Sequence, residues 1–383
     1  MSPPVVGAPK RSTMVKRLVE LFAGVGGFRL GLPDYECVAY SEINKHAKQV
    51  YAENFGEGVN LGDITQVRQL PPCDIVVGGV PCQPWSIAGK RLGFKDPRGK
   101  LWFDVIRLVR KSRPEAFIFE NVFGLLQKTH IKSFQWILKQ FSDMGYHVSY
   151  QVYNSKDFGV PQQRRRVYIV GRLSKPVILP ESITPPVPLY SLIKDLPKSP
   201  NSNTYTMCDI NKGNGDTTIH SWDLMKLDPR LSELCKSLSD RYKKAKMKPI
   251  EVDTCDDITT LLNLKILTQV EGKVRIKNTH PLMGINRISK LVAPGSTCVP
   301  TITTHSGNVI CIITSNIPDN ITRSEVVDLV HQGQYRRLTG RDCAILQGFP
   351  DWFKLPEADE ISRKLLGNAV TVPVIEHIGR QLQ

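Results

Sequence analysis

Apolar positions along the chain fall into short runs that break off at glycine, proline or a charged residue. Arg17-Leu18-Val19-Glu20-Leu21-Phe22 runs into Ala23-Gly24-Val25-Gly26-Gly27. Asp74-Ile75-Val76-Val77-Gly78-Gly79-Val80 runs into Pro81-Cys82-Gln83-Pro84-Trp85-Ser86. Ala116-Phe117-Ile118-Phe119 runs into Glu120-Asn121-Val122. Short apolar runs closed by turn residues predict strands. Further strands are expected at 36–41, 146–153 and 167–171, with a short unit closing at Gly62-Asp63-Ile64. Between them the period lengthens to that of a helix. Residues 45–54 form one candidate; Trp102, Val105, Ile106 and Val109 stripe a second; Phe134, Ile137, Leu138 and Phe141 mark a third. Alternating strands and helices predict a doubly wound, mostly parallel α/β sheet of the Rossmann-like kind.

The pattern then changes. Residues 176–200 are rich in proline and read as a boundary, and 201–335 look irregular apart from short β-like pieces such as Val309-Ile310-Cys311-Ile312-Ile313. Helical periodicity returns at 340–347 and 372–380. The expected division is therefore a first domain built from 14–175 and 336–383, and a smaller second domain at 176–335.

Composition narrows the partner. Hydrophobic residues make up 41% and charged residues 23%, as in a globular protein. Net charge is +15, which favours a polyanion such as nucleic acid. The nine cysteines form no CxxC pair, so neither a disulfide framework nor a metal site is expected, and a reducing interior suits them. Met1 to Ser12 lack the apolar core of a signal peptide. No apolar run reaches the roughly eighteen residues of a membrane span. These features point to a cytoplasmic protein.

Open α/β sheets place ligands beyond the carboxyl ends of their strands. There the predicted strands end in a glycine-rich turn, the Cys82 thiol and the Glu120 carboxylate. Glycines let a backbone approach a ligand closely. The turn is not the dinucleotide fingerprint, because Arg29 stands where a third glycine would be. Glu42, at the end of the second strand, is where a ribose hydroxyl pair is caught, and Asp63 could accept from an adenine amino group. Residues 87–99 mix glycines with Lys90, Arg91, Lys95 and Arg98 and read as a mobile basic loop beside the thiol. Arg164, Arg165 and Arg166 lead into the 167–171 strand, where alternate arginines can point to one site.

Together these residues resemble the bacterial-type DNA (cytosine-5)-methyltransferase family. The likeness is carried by 22–27, 78–86, Glu120-Asn121-Val122, Gln162-Gln163-Arg164-Arg165-Arg166, Arg337-Leu338-Thr339-Gly340-Arg341-Asp342, Gln347-Gly348-Phe349-Pro350 and Gly367-Asn368-Ala369-Val370, in the family's order. The family implies S-adenosyl-L-methionine as cofactor, held by Phe22, Gly24, Gly26, Gly27, Glu42 and Asp63, with Asn368 and Val370 closing the pocket. It implies transfer of a methyl group to C5 of cytosine in duplex DNA through a covalent Cys82–C6 adduct on a flipped base. Cys82, Glu120, Arg164 and Arg166 would be the catalytic set, the arginines lowering the thiol's pKa. Gln83, Ser86, Arg98 and Arg337 are expected against DNA, and Thr301-Ile302 matches the Thr-Leu-like pair of the family's recognition loop. Two departures stand out: Val80 where proline is frequent, and Glu20 where aspartate is usual.

A thiolate added to C6 makes C5 nucleophilic, which a cytosine ring otherwise is not. The residue that removes the C5 proton is not identified; water or hydroxide serves as well. The competing readings are an RNA cytosine-5 methyltransferase on the same scaffold, a DNA-binding protein without activity, and an NAD-dependent oxidoreductase. A site complete within one chain makes a monomer the expectation. Further expectations are nucleoid association and a cognate restriction endonuclease acting on the same DNA site without necessarily binding.

Overall fold

A computed structural model describes residues 15–86, 91–182, 184–198, 229–245, 248–253, 255–263, 267–276, 288–304, 309–318, 321–322, 325, 329 and 332–383. The N-terminal head, Lys90 and Cys208 lie outside the described residues. The elements of the first part are β1 (Lys16–Leu21), α1 (Gly27–Gly31), β2 (Tyr35–Ser41), α2 (Lys45–Phe55), β3 (Ile75–Gly79), α3 (Leu101–Ser112), β4 (Ala116–Val122), α4 (Ile131–Ser142), β5 (His147–Asn154), β6 (Gln162–Gln163) and β7 (Arg165–Arg172).

Six of these strands form one sheet in the order β2-β1-β3-β4-β7-β5. β1 pairs in parallel with β2 and β3, and β3 with β4. β7 runs antiparallel to both its neighbours, β4 and β5, and is the one reversed strand of this sheet. Successive residues of the central strands enter different cores. Val19, Leu21, Val76, Phe117 and Phe119 pack with Trp102, Val105, Phe134, Ile137 and Phe141 from α3 and α4. Leu18, Ile75, Val77 and Ile118 pack on the opposite face with Phe28, Val374, Ile375 and Ile378. Burial on both faces is why these strands read as unbroken apolar runs. The expected unit at Gly62-Asp63-Ile64 is not a strand; this stretch is tied to β2 by a bridge between Asn60 and Tyr40 and by the Ser41 hydroxyl, which donates to Gly62 O.

Beyond the prolines come α5 (Leu189–Leu192), α6 (Pro229–Lys244), α7 (Asp256–Asn263), β8 (Leu267–Val270), β9 (Lys273–Ile276), β10 (Ile288–Val292), β11 (Val299–Pro300), β12 (Val309–Ile313) and β13 (Tyr335–Arg337). The region is more regular than its composition predicts. β10, β12 and β13 form a three-stranded sheet that works as a shared wall. Leu291, Cys311 and Ile313 face a core with Leu231, Leu238, Ile258 and Leu261. Val292, Ile310 and Ile312 face a second core with Leu338, Phe349, Phe353 and Leu366.

The chain closes with α8 (Gly340–Ile345), α9 (Asp359–Asn368) and α10 (Val372–Arg380). Thr339 and Asp342 form a reciprocal capping box at the start of α8, and Arg336 pairs with the same Asp342 carboxylate. α10 packs against α1, returning the end of the chain to the first sheet.

Candidate active site

The carboxyl ends of β1, β3 and β4 lie side by side, with Leu21 opposite Gly78 and Gly79 opposite Glu120. A cavity of about 370 Å³ opens there. Phe22, Gly24, Gly27, Glu42 and Asp63 line one part of it. Cys82, Gln83, Arg98, Glu120, Arg164 and Arg166 line another, and Gly367 to Val370 close it. Of the residues expected to bind a cofactor, Gly26 alone does not line this cavity. It supports the turn instead, with a φ of 87° and a position against the Phe55 ring that leaves no room for a Cβ.

The turn is held from β2. Glu42 Oε2 accepts the Gly24 N–H at 2.8 Å, and Oε1 accepts the Asn44 N–H at 2.7 Å. The carboxylate is thereby fixed at the cavity wall with lone pairs to spare for hydroxyl donors. Asp63 and Asn368 are exposed at the mouth, whereas Val370 is buried against Gly27. Ile43 is 71% exposed at the same rim, an apolar surface missed in the sequence. An isoleucine directly after the predicted ribose carboxylate was the available signal.

Cys82 sits in a turn braced from below. Trp85 donates its backbone N–H to Cys82 O at 3.0 Å and is fully buried against Phe94 and His130. Gly93 donates its N–H to Pro84 O, so the described part of the basic loop is anchored to the cysteine turn. Asn121 donates from Nδ2 to Val80 O at 3.1 Å, locking the end of β4 to the segment before the thiol. The asparagine that follows Glu120 thus positions the loop that carries Cys82.

Glu120 is 7% exposed, and its Oε1 pairs with Arg166 Nε at 2.9 Å. Burial pushes this carboxyl up, and Arg166 and Arg164 draw it part of the way back. Burial also pushes the Cys82 thiol up, with the Glu120 charge adding to the rise and the arginines offsetting only part of it. The expected low thiol pKa is therefore corrected: desolvation outweighs the arginines in the free protein.

Arg164 and Arg166 both reach the cavity, but the three arginines meet different partners. Arg166 meets Glu120. Arg165 lies over the Phe123 ring at 4.2 Å. Arg164 is 2% exposed and donates to the carbonyls of Ile302, Gly367 and Ala369. It lines the cavity, and its bonded donors go to main chain.

The residues expected against DNA are spread out. Gln83 is exposed on the cysteine turn, and Ser86 ends the described part of that turn. Arg98 forms a two-pronged pair with Asp96 and remains 55% exposed. Arg337 is exposed on β13, opposite Cys311. Thr301 Oγ1 donates to Gln163 O. Ile302 is 3% exposed within the second core, so its side chain is not available to a groove. Glu20, the departure from aspartate, is fully buried; its Oε2 accepts from Tyr51 Oη and its Oε1 has no partner.

The sequence profile of C-5 cytosine-specific DNA methylases matches residues 16–383. The chain belongs to this family. The Type II methylase M.HgiEI of Herpetosiphon aurantiacus is 36% identical, covering 96% of both chains. The Type II methyltransferase M.BanI of Aneurinibacillus aneurinilyticus is 34% identical, covering 94% of both. Among solved structures, a DNMT2 variant from Spodoptera frugiperda superposes with a TM-score of 0.59 at 19% identity, over 96% of this chain and 99% of that one. The Entamoeba histolytica methyltransferase EhMeth gives 0.59 at 16%, over 96% and 97%. At these identities the structures speak for the fold, while the profile and the Type II relatives establish a DNA cytosine-5 methyltransferase. Among the described residues no helix is long and apolar enough to cross a membrane.

Proposed function

We propose that this cytosine-5 DNA methylase transfers the methyl group of S-adenosyl-L-methionine to C5 of cytosine within one short duplex sequence. The observation that carries the proposal is the single cavity that brings Cys82, Glu120 and Arg166 to the glycine turn, Glu42 and Asp63. When bound, the cofactor supplies a methyl group on a sulfonium. Phe22, Gly24 and Gly27 would hold it from β1, with Glu42 on the ribose hydroxyls, Asp63 at the adenine edge and Asn368 and Val370 closing the pocket. The Gly24 N–H is already committed to Glu42, so the turn's part is close approach of backbone rather than a free donor array.

The target base must leave the helix to reach Cys82, at a cost of a few kcal/mol. Cys82 releases its thiol proton to water, its Sγ bonds to C6, and the π pair of the C5–C6 bond shifts onto C5, which becomes an enamine carbon. Glu120 faces N3 and the exocyclic amine. A carboxyl held up by burial can carry a proton to N3 as charge builds on the ring. Arg166 keeps that carboxyl oriented. After C5 gains the methyl group, water or hydroxide takes the C5 proton, the C5–H pair re-forms the C5–C6 double bond, and the C6–S bond breaks with its pair on sulfur, freeing Cys82.

The second region, 176–335, would read the major groove, with Gln83, Ser86, Arg98, Thr301 and Arg337 contributing contacts from the surrounding loops and from β13. The relatives are named Type II enzymes, which favours a fixed recognition site and a companion restriction endonuclease acting on it. The working form would be a monomer in the cytoplasm, at the nucleoid.

Base-resolution methylation mapping of a plasmid incubated with the protein and S-adenosyl-L-methionine, with matched RNA alongside, tests this reading. C5-methylcytosine confined to one short duplex sequence is expected. Methylated RNA with clean DNA would retain the chemistry and overturn the substrate.

A further inference from the structure

Three buried polar side chains, Gln162, Arg164 and Gln347, meet at one junction. β6 pairs in parallel with β11, Gln162 opposite Val299 and Gln163 opposite Pro300. Gln162 is fully buried; its Oε1 accepts the Ile302 N–H at 3.1 Å and its Nε2 donates to Leu346 O at 2.8 Å. Two residues on, Arg164 donates from Nη1 to Ile302 O at 3.1 Å. Its Nη2 donates to Ala369 O at 2.7 Å and to Gly367 O at 3.3 Å. Gln347 holds the same Ala369 carbonyl from the other side.

The segments also touch directly. A Cβ on Gly367 would lie 2.8 Å from the Thr303 carbonyl carbon and 2.9 Å from the Thr304 nitrogen. Main chain of the second region is therefore packed against main chain of the cavity wall. Among the described residues no carboxylate bonds to Arg164, and its Nε is buried without a partner. The acceptors of its guanidinium among those residues are carbonyls from two segments far apart in sequence. If either segment shifts, a buried charge loses acceptors, and burying a charge without its partners is costly.

We propose that Gln162 and Arg164 form a strut that couples the 299–304 segment to the cavity wall at 366–370, so that a ligand ordering one orders the other. The assignment rests on the cofactor reading given above. Thr303 and Thr304 are exposed at the far end of the strut, so duplex contacts there and cofactor contacts at Asn368 and Val370 would reinforce each other. Linkage makes the effect reciprocal.

Hydrogen exchange of the full chain, with and without saturating S-adenosylhomocysteine, tests the strut without any turnover. Amides at 366–370 are expected to slow, and those of Val299 and Ile302 to slow with them by at least about fivefold, the lower bound of ordinary coupling. In Gln162→Met and Arg164→Lys the ligand should still protect 366–370, while the slowing at 299–304 falls to less than about twofold, below that coupling range. Gly367→Ala perturbs the junction from the opposite side and should weaken the transmission too. Protection at 366–370 without protection at 299–304 in the wild-type chain would overturn the coupling alone, whatever the folding of the variants. Transmission unchanged in both strut variants would remove Gln162 and Arg164 from the role. No binding of S-adenosylhomocysteine by the wild-type chain would instead overturn the cofactor reading, and the strut with it.

Discussion

The Cys82 thiol offers the sharpest test of the electrostatics, through the substitution Glu120→Gln. A free thiol titrates near about 8.5. Burial and the Glu120 charge push Cys82 above its ordinary value, and Arg166 and Arg164 only partly oppose them. Two unit charges about 4 Å apart interact by about 4 kcal/mol at an effective dielectric of about 20, so a nearby carboxylate weighs heavily on a thiol. Removing the Glu120 charge should therefore lower the thiol's pKa toward its ordinary value. The same change frees Arg166 from its partner at 2.9 Å, which acts in the same direction. At pH 7.5 the thiolate fraction should rise by about tenfold for each unit of the fall.

Alkylation with iodoacetamide from pH 6.5 to 10, followed on the Cys82 peptide by mass spectrometry, reads this directly. The wild-type rate should inflect above the ordinary thiol range, and the Glu120→Gln rate at a lower pH than the wild type. Methyl transfer should move the other way, falling by roughly a hundred- to ten-thousandfold with the loss of the proton carrier. A more reactive thiol in a less active enzyme would separate the two duties of Glu120. A wild-type inflection below 8.5, or one unmoved by the substitution, would refute the account that burial and Glu120 govern the thiol.

Cys82→Ala should abolish methyl transfer and the covalent DNA adduct, while the Kd for S-adenosylhomocysteine in calorimetry stays within about threefold, because a wall residue that only approaches the ligand contributes little to its binding. Glu20 is pushed up to about 8 by burial, so the native carboxyl keeps a proton that the unfolded chain releases near 4.5. Its contribution is full below that value and is lost as pH rises through 8; Glu20→Gln should accordingly raise stability in urea melts at pH 8 by up to about 4 kcal/mol and change it little at pH 4. Ile302→Ala should cost about 2–5 kcal/mol in the same melts and leave the methylated sequence unchanged, since a 3%-exposed core residue cannot read a groove.

Much of the first domain was legible because its central strands are buried on both faces. Ile75-Val76-Val77 and Phe117-Ile118-Phe119 send alternate residues into two cores, so no polar position interrupts them. The stripe of Phe134, Ile137 and Phe141 was legible for the opposite reason, since one face of α4 is apolar and the other wet. What the pattern did not carry was pairing at a distance. Nothing local in Arg165 to Arg172 says that β7 runs against β4, and nothing in 288–313 says that β10 and β12 separate two cores. Both depend on which segments meet, and the prolines and charges between them conceal it.

The site shows where motif reading stops being physics. Cys82 and Glu120 announce themselves because each follows an apolar run at a place where ligands gather, and side-chain type alone suggests their chemistry. Charge is different, since a sequence counts arginines but not the water removed around a thiol. The tally of neighbours favours a thiolate at Cys82, while desolvation favours the neutral thiol and prevails. The triplet Arg164-Arg165-Arg166 repeats the lesson in space. Strand alternation turns Arg165 away onto Phe123, and alternation alone would send Arg164 and Arg166 together. They part because Arg164 lies between β6 and β7, where its N–H is bonded to Asn154 Oδ1 and to Gln162 O, and its side chain leaves toward Ile302 and Ala369. Arg166 is thereby the arginine that meets Glu120, and Arg164 is the one that holds Ile302, Gly367 and Ala369 by their carbonyls.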